Sequence, residues 1–476
     1  MILDAVRPRD RDTALVALLS GVISVAAFFY YFSHGELLLY GDAVAHINIA
    51  RRVFDSRTPG LLQLGTVWLP LPHLLMIPFL ISDWLWRTGV GGSIPSMTAY
   101  VFGVVGIFKL TRSVLETESP QFARLAPWGA VLAYAANPNL IYLQTTAMTE
   151  PIYLALSIWT LVHFSDFLHA ANAARTRDST LIKCGLCLAA ACLTRYDAWF
   201  LGGVLCILAL VTRRRHGTSN RSLAKFVLLA VAAPTLWLAY NAAIYRNPLE
   251  FSNGPYSAKA IEKKTSVPGT PPHPGAGNLP VSASYFLKSA ELNVARGDWG
   301  RFWLLLALLG TAVACTGFWN SIPALLLWIP LPFYMLSIAY GGVPIFLPVW
   351  WPGSHYNVRY GLELLPAFAV FVTIAAVFAI KLVRNRNLRL VAAIALLGFM
   401  LASYASIWRD PICRQEAWAN SRTRIALERE LAAYLKALPQ GSTLLMYWGD
   451  HVGALQDAGI PLRRVINEGN HRVWKQ

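Results

Sequence analysis

The chain has 476 residues, 55% of them hydrophobic and only 14% charged, and apolar runs recur at the length needed to cross a hydrocarbon core of about 30 Å. That composition excludes a water-soluble globular protein and predicts an all-α polytopic membrane protein. The 41 Lys plus Arg against 25 Asp plus Glu give a formal charge of +16, yet the excess lies in short basic connections such as Arg213-Arg214-Arg215-His216 and Lys381 to Arg389, a pattern of membrane orientation and not of nucleic-acid binding.

A charged amino-terminal segment with Arg7, Arg9 and Arg11 precedes a first span near Thr13 to Phe32, read as an uncleaved signal anchor with its amino terminus inside. Just beyond it, Tyr40-Gly41-Asp42-Ala43-Val44-Ala45-His46 stands at the outer mouth. An acid there, in so apolar a chain, is a candidate functional site, with general base as its expected role. If the segment is helical, Asp42, His46, Ile49 and Val53 share one face. The competing reading makes Asp42 the N-cap of that helix.

Two apolar stretches follow, Thr66 to Trp86 and Ser93 to Leu110. If both crossed, every later basic loop would lie outside. Pro70, Pro72 and Pro78 interrupt the first, so it is expected to form juxtamembrane helices inside a long external loop, about residues 34 to 92. Spans are then predicted near Ala126 to Tyr142, Pro151 to Leu168, Cys184 to Leu193, Trp199 to Val211 and Phe226 to Ala243. Glu150 precedes Pro151 at the outer start of one of them, either as a first-turn acid or as part of a site. Arg195-Tyr196-Asp197 lies at the outer end of the next hairpin and reads first as an ion pair. Cys184-Gly185-Leu186-Cys187 has CxxC spacing without a second ligand pair, so its thiols read as small hydrophobes.

A second external loop covers about Arg246 to Arg301, with Lys259, Lys263 and Lys264 and a Pro/Gly-rich run from Pro268 to Pro280. Four more spans, Phe302 to Phe318, Ile322 to Tyr340, Tyr360 to Ile380 and Leu388 to Trp408, bring the total to about eleven. His355-Tyr356-Asn357-Val358-Arg359-Tyr360 stands at the outer start of the tenth. An arginine there can clamp a phosphate bidentately, with interfacial snorkelling as the alternative. The remainder, residues 409–476, forms an external tail beside the 1–408 membrane domain. In it Glu416 to Leu438 reads as an amphipathic helix, and Thr443 to Trp448 as a strand before Gly449-Asp450, a small α/β-like segment.

In order and topology these features resemble the GT-C superfamily of membrane glycosyltransferases that use polyprenyl-phosphate sugars, nearest the protein O-mannosyltransferases and the lipid A aminoarabinose transferases. The resemblance covers roughly residues 13 to 410. It is carried by Asp42 near the start of the first external loop, the helices around Trp68-Leu69-Pro70-Leu71-Pro72-His73, Asn137-Pro138 leading to Thr149-Glu150, the Arg246 to Arg301 loop, and Arg359-Tyr360. The mannosyltransferases carry paired acids where this chain has Gly41-Asp42-Ala43, and the tail has no counterpart.

The resemblance implies a GT-C fold and inverting transfer of a sugar from a polyprenyl-phosphate donor to a hydroxyl of an acceptor glycan, lipid or protein. The site would be extracytoplasmic, in a bacterial inner membrane. Asp42 would be the base, Glu150 a second or orienting acid, and Arg359 with Tyr360 the phosphate clamp. Arg51, Arg52, Arg195, Lys259, Lys263, His46 and His73 are further substrate-contact candidates. A divalent metal held by His46, His73 or His355 with Asp42 or Glu150 stays open, since no ligand spacing is diagnostic. So do a transporter or flippase of a lipid-linked or anionic solute and a lipid-linked oligosaccharide ligase.

Overall fold

The computed structural model describes residues 8–116, 118–169, 174–216, 219–266, 269, 271–449 and 451–470. The expectations that rest on Arg7, Pro268 and Asp450 lie outside these residues, as do the side chains of the basic run 213–216. Helices dominate; the sheet among the described residues is one parallel pair of two-residue strands, Leu444–Leu445 and Val465–Ile466.

Among the described residues eight helices are long and apolar enough to cross a membrane, from Arg11–Ser33 and Val90–Val114 to Val358–Leu382 and the helix that begins at Arg386. Their outward faces are apolar: Leu18, Val22, Leu228, Leu236 and Leu390 are each at least 60% exposed, as expected where lipid is the solvent. The other three of the eleven expected spans correspond to Pro120–Ala135, Ala174–Cys192 and Asp197–His216, which do not meet that length and composition.

The long first loop folds as its prolines require. Leu71–Leu80 has 10 residues, with Pro72 in its first turn and Pro78 inside, so it reaches only about 15 Å, half of a hydrocarbon core. It packs instead on Gly41–Arg52 and Val90–Val114. Gly92 lets Val90–Val114 come close to Gly41–Arg52: a Cβ there would stand 2.6 Å from Ala147 Cβ and 2.7 Å from Ile47 Cγ1. Gly361 does the same for the 3-10 helix Val358–Leu364, where a Cβ would meet the backbone of Ser289 and Ala290 at 2.4 Å.

The tail is fastened to this loop. Its long helix, Ile412–Lys436, starts four residues before Glu416, because Pro411 sits acceptably at the N-cap. The Tyr40 hydroxyl donates to the Cys413 carbonyl at 2.7 Å and Asn48 Nδ2 to Gln456 Oε1 at 2.7 Å. Asp55, fully buried, accepts from the amides of Leu462 and Arg463 at 3.2 and 3.3 Å. These polar contacts close one end of the bundle.

Candidate active site

Five carboxylates and two arginines from separate segments meet at that end. Arg359 is the hub: Nη2 contacts Asp42 Oδ2 at 2.5 Å, Nε contacts Glu150 Oε1 at 3.1 Å and Nη1 contacts Glu416 Oε1 at 2.5 Å. The turn before it is built for this. Asn357 takes the left-handed conformation at φ 56, which asparagine tolerates, and the amides of Asn357 and Arg359 both donate to the Glu416 carboxylate at 3.1 Å.

Arg195 forms a second hub. It contacts Glu363 Oε1 at 2.9 Å, Asp197 Oδ2 at 3.3 Å and Glu150 Oε1 at 3.4 Å, and donates to the Tyr334 hydroxyl at 2.6 Å. Glu150 Oε1 therefore bridges the two arginines, and the Tyr360 ring lies between them, 4.9 Å from the Arg359 guanidinium carbon and 5.1 Å from that of Arg195. Burying so many charges is tolerable only because they are mutually paired. Burial alone would lower the Arg195 pKa, but Glu363, Tyr334, Asp197 and Glu150 outweigh it and hold the guanidinium charged.

Asp42 differs from its neighbours in access. Its side chain is 38% exposed, against 1% for Glu150 and 1% for Glu416. The capping alternative is not what the helix uses: Gly41–Arg52 is preceded by Tyr40, with no side-chain cap. Asp42 stands in the first turn and turns its carboxylate to Arg359.

Four residues on, buried His46 places Nδ1 2.9 Å from Nε2 of His73 and its ring centroid 4.8 Å from that of Trp68. Burial lowers His46 to about 4, against the pull of Asp42 and Glu150. Burial also holds His73 well below its ordinary range, helped by the nearby His46 and Arg52. Both rings are therefore neutral near pH 7. His46 stands on the same helix as Asp42 and Arg52 and between them in the chain, with His73 against it.

The remaining cations separate cleanly. Arg51 is consumed locally, by Asp55 at 3.0 Å, Asp83 at 2.6 Å and the Leu80 carbonyl at 2.5 Å. Arg52 donates from Nε to the Gln63 carbonyl at 2.6 Å and has no carboxylate within ion-pair distance among the described residues. Burial pushes its pKa down, the mark of a cation short of counter-charge. Lys259 and Lys263 lie exposed on Ala258–Thr265 and are not drawn into the carboxylate hub.

Solved structures with this arrangement of helices exist. ArnT from Cupriavidus metallidurans superposes with a TM-score of 0.57 at 14% identity, covering 94% of this chain and 84% of that one. The same protein bound to undecaprenyl phosphate gives 0.55 at 15% identity, over 96% and 87%. The chain has the GT-C fold. The apo oligosaccharyltransferase of Archaeoglobus fulgidus matches it too, with a TM-score of 0.54 at 13% identity over 96% of this chain and 65% of its own. No family model matches the chain, and no curated protein matches it in sequence.

Within this GT-C fold the metal option finds no support. Among the described residues no group of three His, Cys, Asp or Glu side chains is placed to hold an ion. His46 and His73 face each other, and His355 points elsewhere, to Gln415 at 3.3 Å. The CxxC thiols, Cys184 and Cys187, are free and sit in the Ala174–Cys192 helix.

Two members of the cluster were not anticipated from sequence. Glu363 had a signal, an acid inside the apolar run from Tyr360 to Ile380, where an ionisable residue is a site candidate by default. Glu416 had none, because on an amphipathic helix an acid normally faces water.

Proposed function

We propose that the protein is an inverting glycosyltransferase that moves a sugar from a polyprenyl-phosphate donor to an acceptor hydroxyl on the extracytoplasmic side of the membrane. One observation carries the reading: Asp42 is the carboxylate of the cluster that faces water, and Arg359 holds it there. The fold shared with ArnT, which has been solved with undecaprenyl phosphate, supports the donor class.

In this reading Asp42 takes the proton of the acceptor hydroxyl as its oxygen attacks the anomeric carbon. The bond from that carbon to the phosphate oxygen breaks, and the electron pair leaves with the polyprenyl phosphate. Glu150 is the orienting acid, fixing the two arginines through one oxygen. We assign Arg359 to positioning Asp42, and not to clamping phosphate, because an incoming phosphate would stand among three carboxylates already bound to it. The phosphate falls to Arg52, a part-buried cation with no carboxylate within ion-pair distance among the described residues, with Lys259 and Lys263 as exposed auxiliaries. Asp42 and Arg52 lie at the two ends of one helix, about 15 Å apart along its axis. The sugar would sit between them, over His46, His73 and Trp68.

The test is turnover itself. Purified protein given labelled polyprenyl-phosphate sugars and hydroxyl acceptors should release polyprenyl phosphate only when acceptor is present, with the product anomer inverted by NMR. Release without any acceptor, or retention of configuration, would overturn the mechanism. Sidedness is read by single cysteines at Leu61 and Trp84, 62% and 58% exposed, in a background lacking the native thiols. Both should label from outside.

A further inference from the structure

A second polar concavity lies on a different face of the tail helix from the one that carries Glu416 to the carboxylate hub. It is a cleft of about 680 Å³ lined by His355, Asp410, Gln415, Trp418, Ala419 and Arg422, within the size range of small-ligand sites. Four of these, Gln415, Trp418, Ala419 and Arg422, follow at steps of three and four and so form one face of Ile412–Lys436. Glu416, the next residue after Gln415 and about 100° further round the helix, faces Arg359.

The lining has a definite chemistry. Trp418 is 38% exposed and offers a flat apolar ring. Around it stand groups of mixed hydrogen-bonding sense. The Gln415 amide is oriented by its own contacts, Nε2 donating to the Asp410 carbonyl at 2.8 Å and Oε1 meeting His355 Nε2 at 3.3 Å. Asp410 is half-buried and 3.6 Å from Arg414. Arg422 is exposed and has no ion pair among the described residues. A lipid chain would need apolar walls, and here only Trp418 and Ala419 supply them. A phosphate would need an excess of cations, and here Asp410 offsets Arg422. A sugar ring matches both halves of the lining. Its C–H face stacks on an indole, and its hydroxyls, each donor and acceptor at once, suit a rim of carboxylate, amide, imidazole and guanidinium.

We propose that this cleft binds a sugar unit of the acceptor, so that the acceptor is a glycan chain whose reacting hydroxyl reaches Asp42 while a more distal unit rests on Trp418. The assignment rests on the glycosyltransferase reading above. The cleft and the carboxylate hub meet different faces of one helix about 10 Å across, so a chain of a few sugars can occupy both, and the tail then selects the acceptor.

The experiment is direct binding to the full chain in detergent, using glucose, galactose, mannose and N-acetylglucosamine trisaccharides as probes, with plain polyprenyl phosphate titrated in parallel. At least one trisaccharide should bind. Trp418→Ala should weaken it by about tenfold or more, Trp418→Phe should keep most of the affinity, and Arg422→Ala should fall between. Polyprenyl phosphate affinity and the thermal midpoint should be the same in all four proteins, since Trp418 is a surface residue. No binding of any trisaccharide, or equal affinity in wild type and Trp418→Ala, overturns the cleft. Trisaccharide binding without polyprenyl phosphate binding leaves the cleft standing and removes the transferase reading instead.

Discussion

Arg359 reaches Asp42 at 2.5 Å across 317 residues of chain, and the same guanidinium binds two carboxylates that are almost wholly buried. The contact ties the accessible acid of the first long loop to the start of a late membrane helix. Asp42 thus sits at a fixed place relative to the bundle, although its own helix carries no cap.

Asp42→Asn preserves shape and can still accept from Arg359 through its amide oxygen, but it cannot take a proton as a carboxylate does. Sugar transfer should fall by about 100-fold or more, the usual scale for loss of a general base. Donor affinity should be unchanged. Equal turnover in the variant and the wild type would leave Asp42 as a structural ion pair.

Arg359→Ala removes the counter-charge of buried Glu150 and Glu416, so it should lower stability by about 3–5 kcal/mol, the range for breaking a buried pair from one side. Arg359→Lys keeps the charge but lacks the planar fork whose separate nitrogens reach Asp42, Glu150 and Glu416. It should fold, with a reduced kcat and little change in donor affinity. Adding Glu416→Gln to Arg359→Ala should recover part of the lost thermal midpoint, and no recovery would show that Glu416 does not depend on that arginine.

Arg52→Ala should weaken plain polyprenyl phosphate by about 1.5–3 kcal/mol, the worth of a charge-assisted contact to a desolvated cation. Lysine should restore part of it. Titration of the sugar-free lipid distinguishes the two arginines. If the loss appears in Arg359→Lys and not in Arg52→Ala, the phosphate belongs at Arg359 after all.

Acid should destabilise the protein through His46. Its pKa is about 4 when folded against about 6.5 in an unfolded chain. Between those values the unfolded state binds the proton and the folded state does not, so stability rises with pH through this window. It is correspondingly lost as pH falls from about 6.5 to 4, by up to about 3 kcal/mol from this group. Thermal midpoints at pH 7 and pH 4.5 should drop less in His46→Gln than in wild type. An equal drop in both would assign the acid sensitivity to other groups.

Much of this protein is legible along the chain because lipid reads the chain locally. Apolar runs, basic connections and the prolines at 70, 72 and 78 determine that it is helical, that it spans a membrane, and that the helix over 71–80 is too short to cross one. The candidate acids Asp42 and Glu150 and the arginines 195 and 359 stand out for the same local reason: charge is conspicuous where nearly everything else is apolar. What each of them touches is a different matter. Arg359 looks the same in sequence whether it faces a phosphate or three carboxylates, and Arg51 and Arg52 are adjacent, yet one is fully ion-paired and the other has no carboxylate partner among the described residues. Apart from Arg195 and Asp197, two residues apart, the ion-paired partners of the cluster lie between 45 and 317 residues apart, and electrostatic pairing depends on distance in space alone. Only the tertiary structure brings Glu416, from what reads as a solvent-facing tail helix, under Arg359. The same packing leaves another face of that helix lining a cleft.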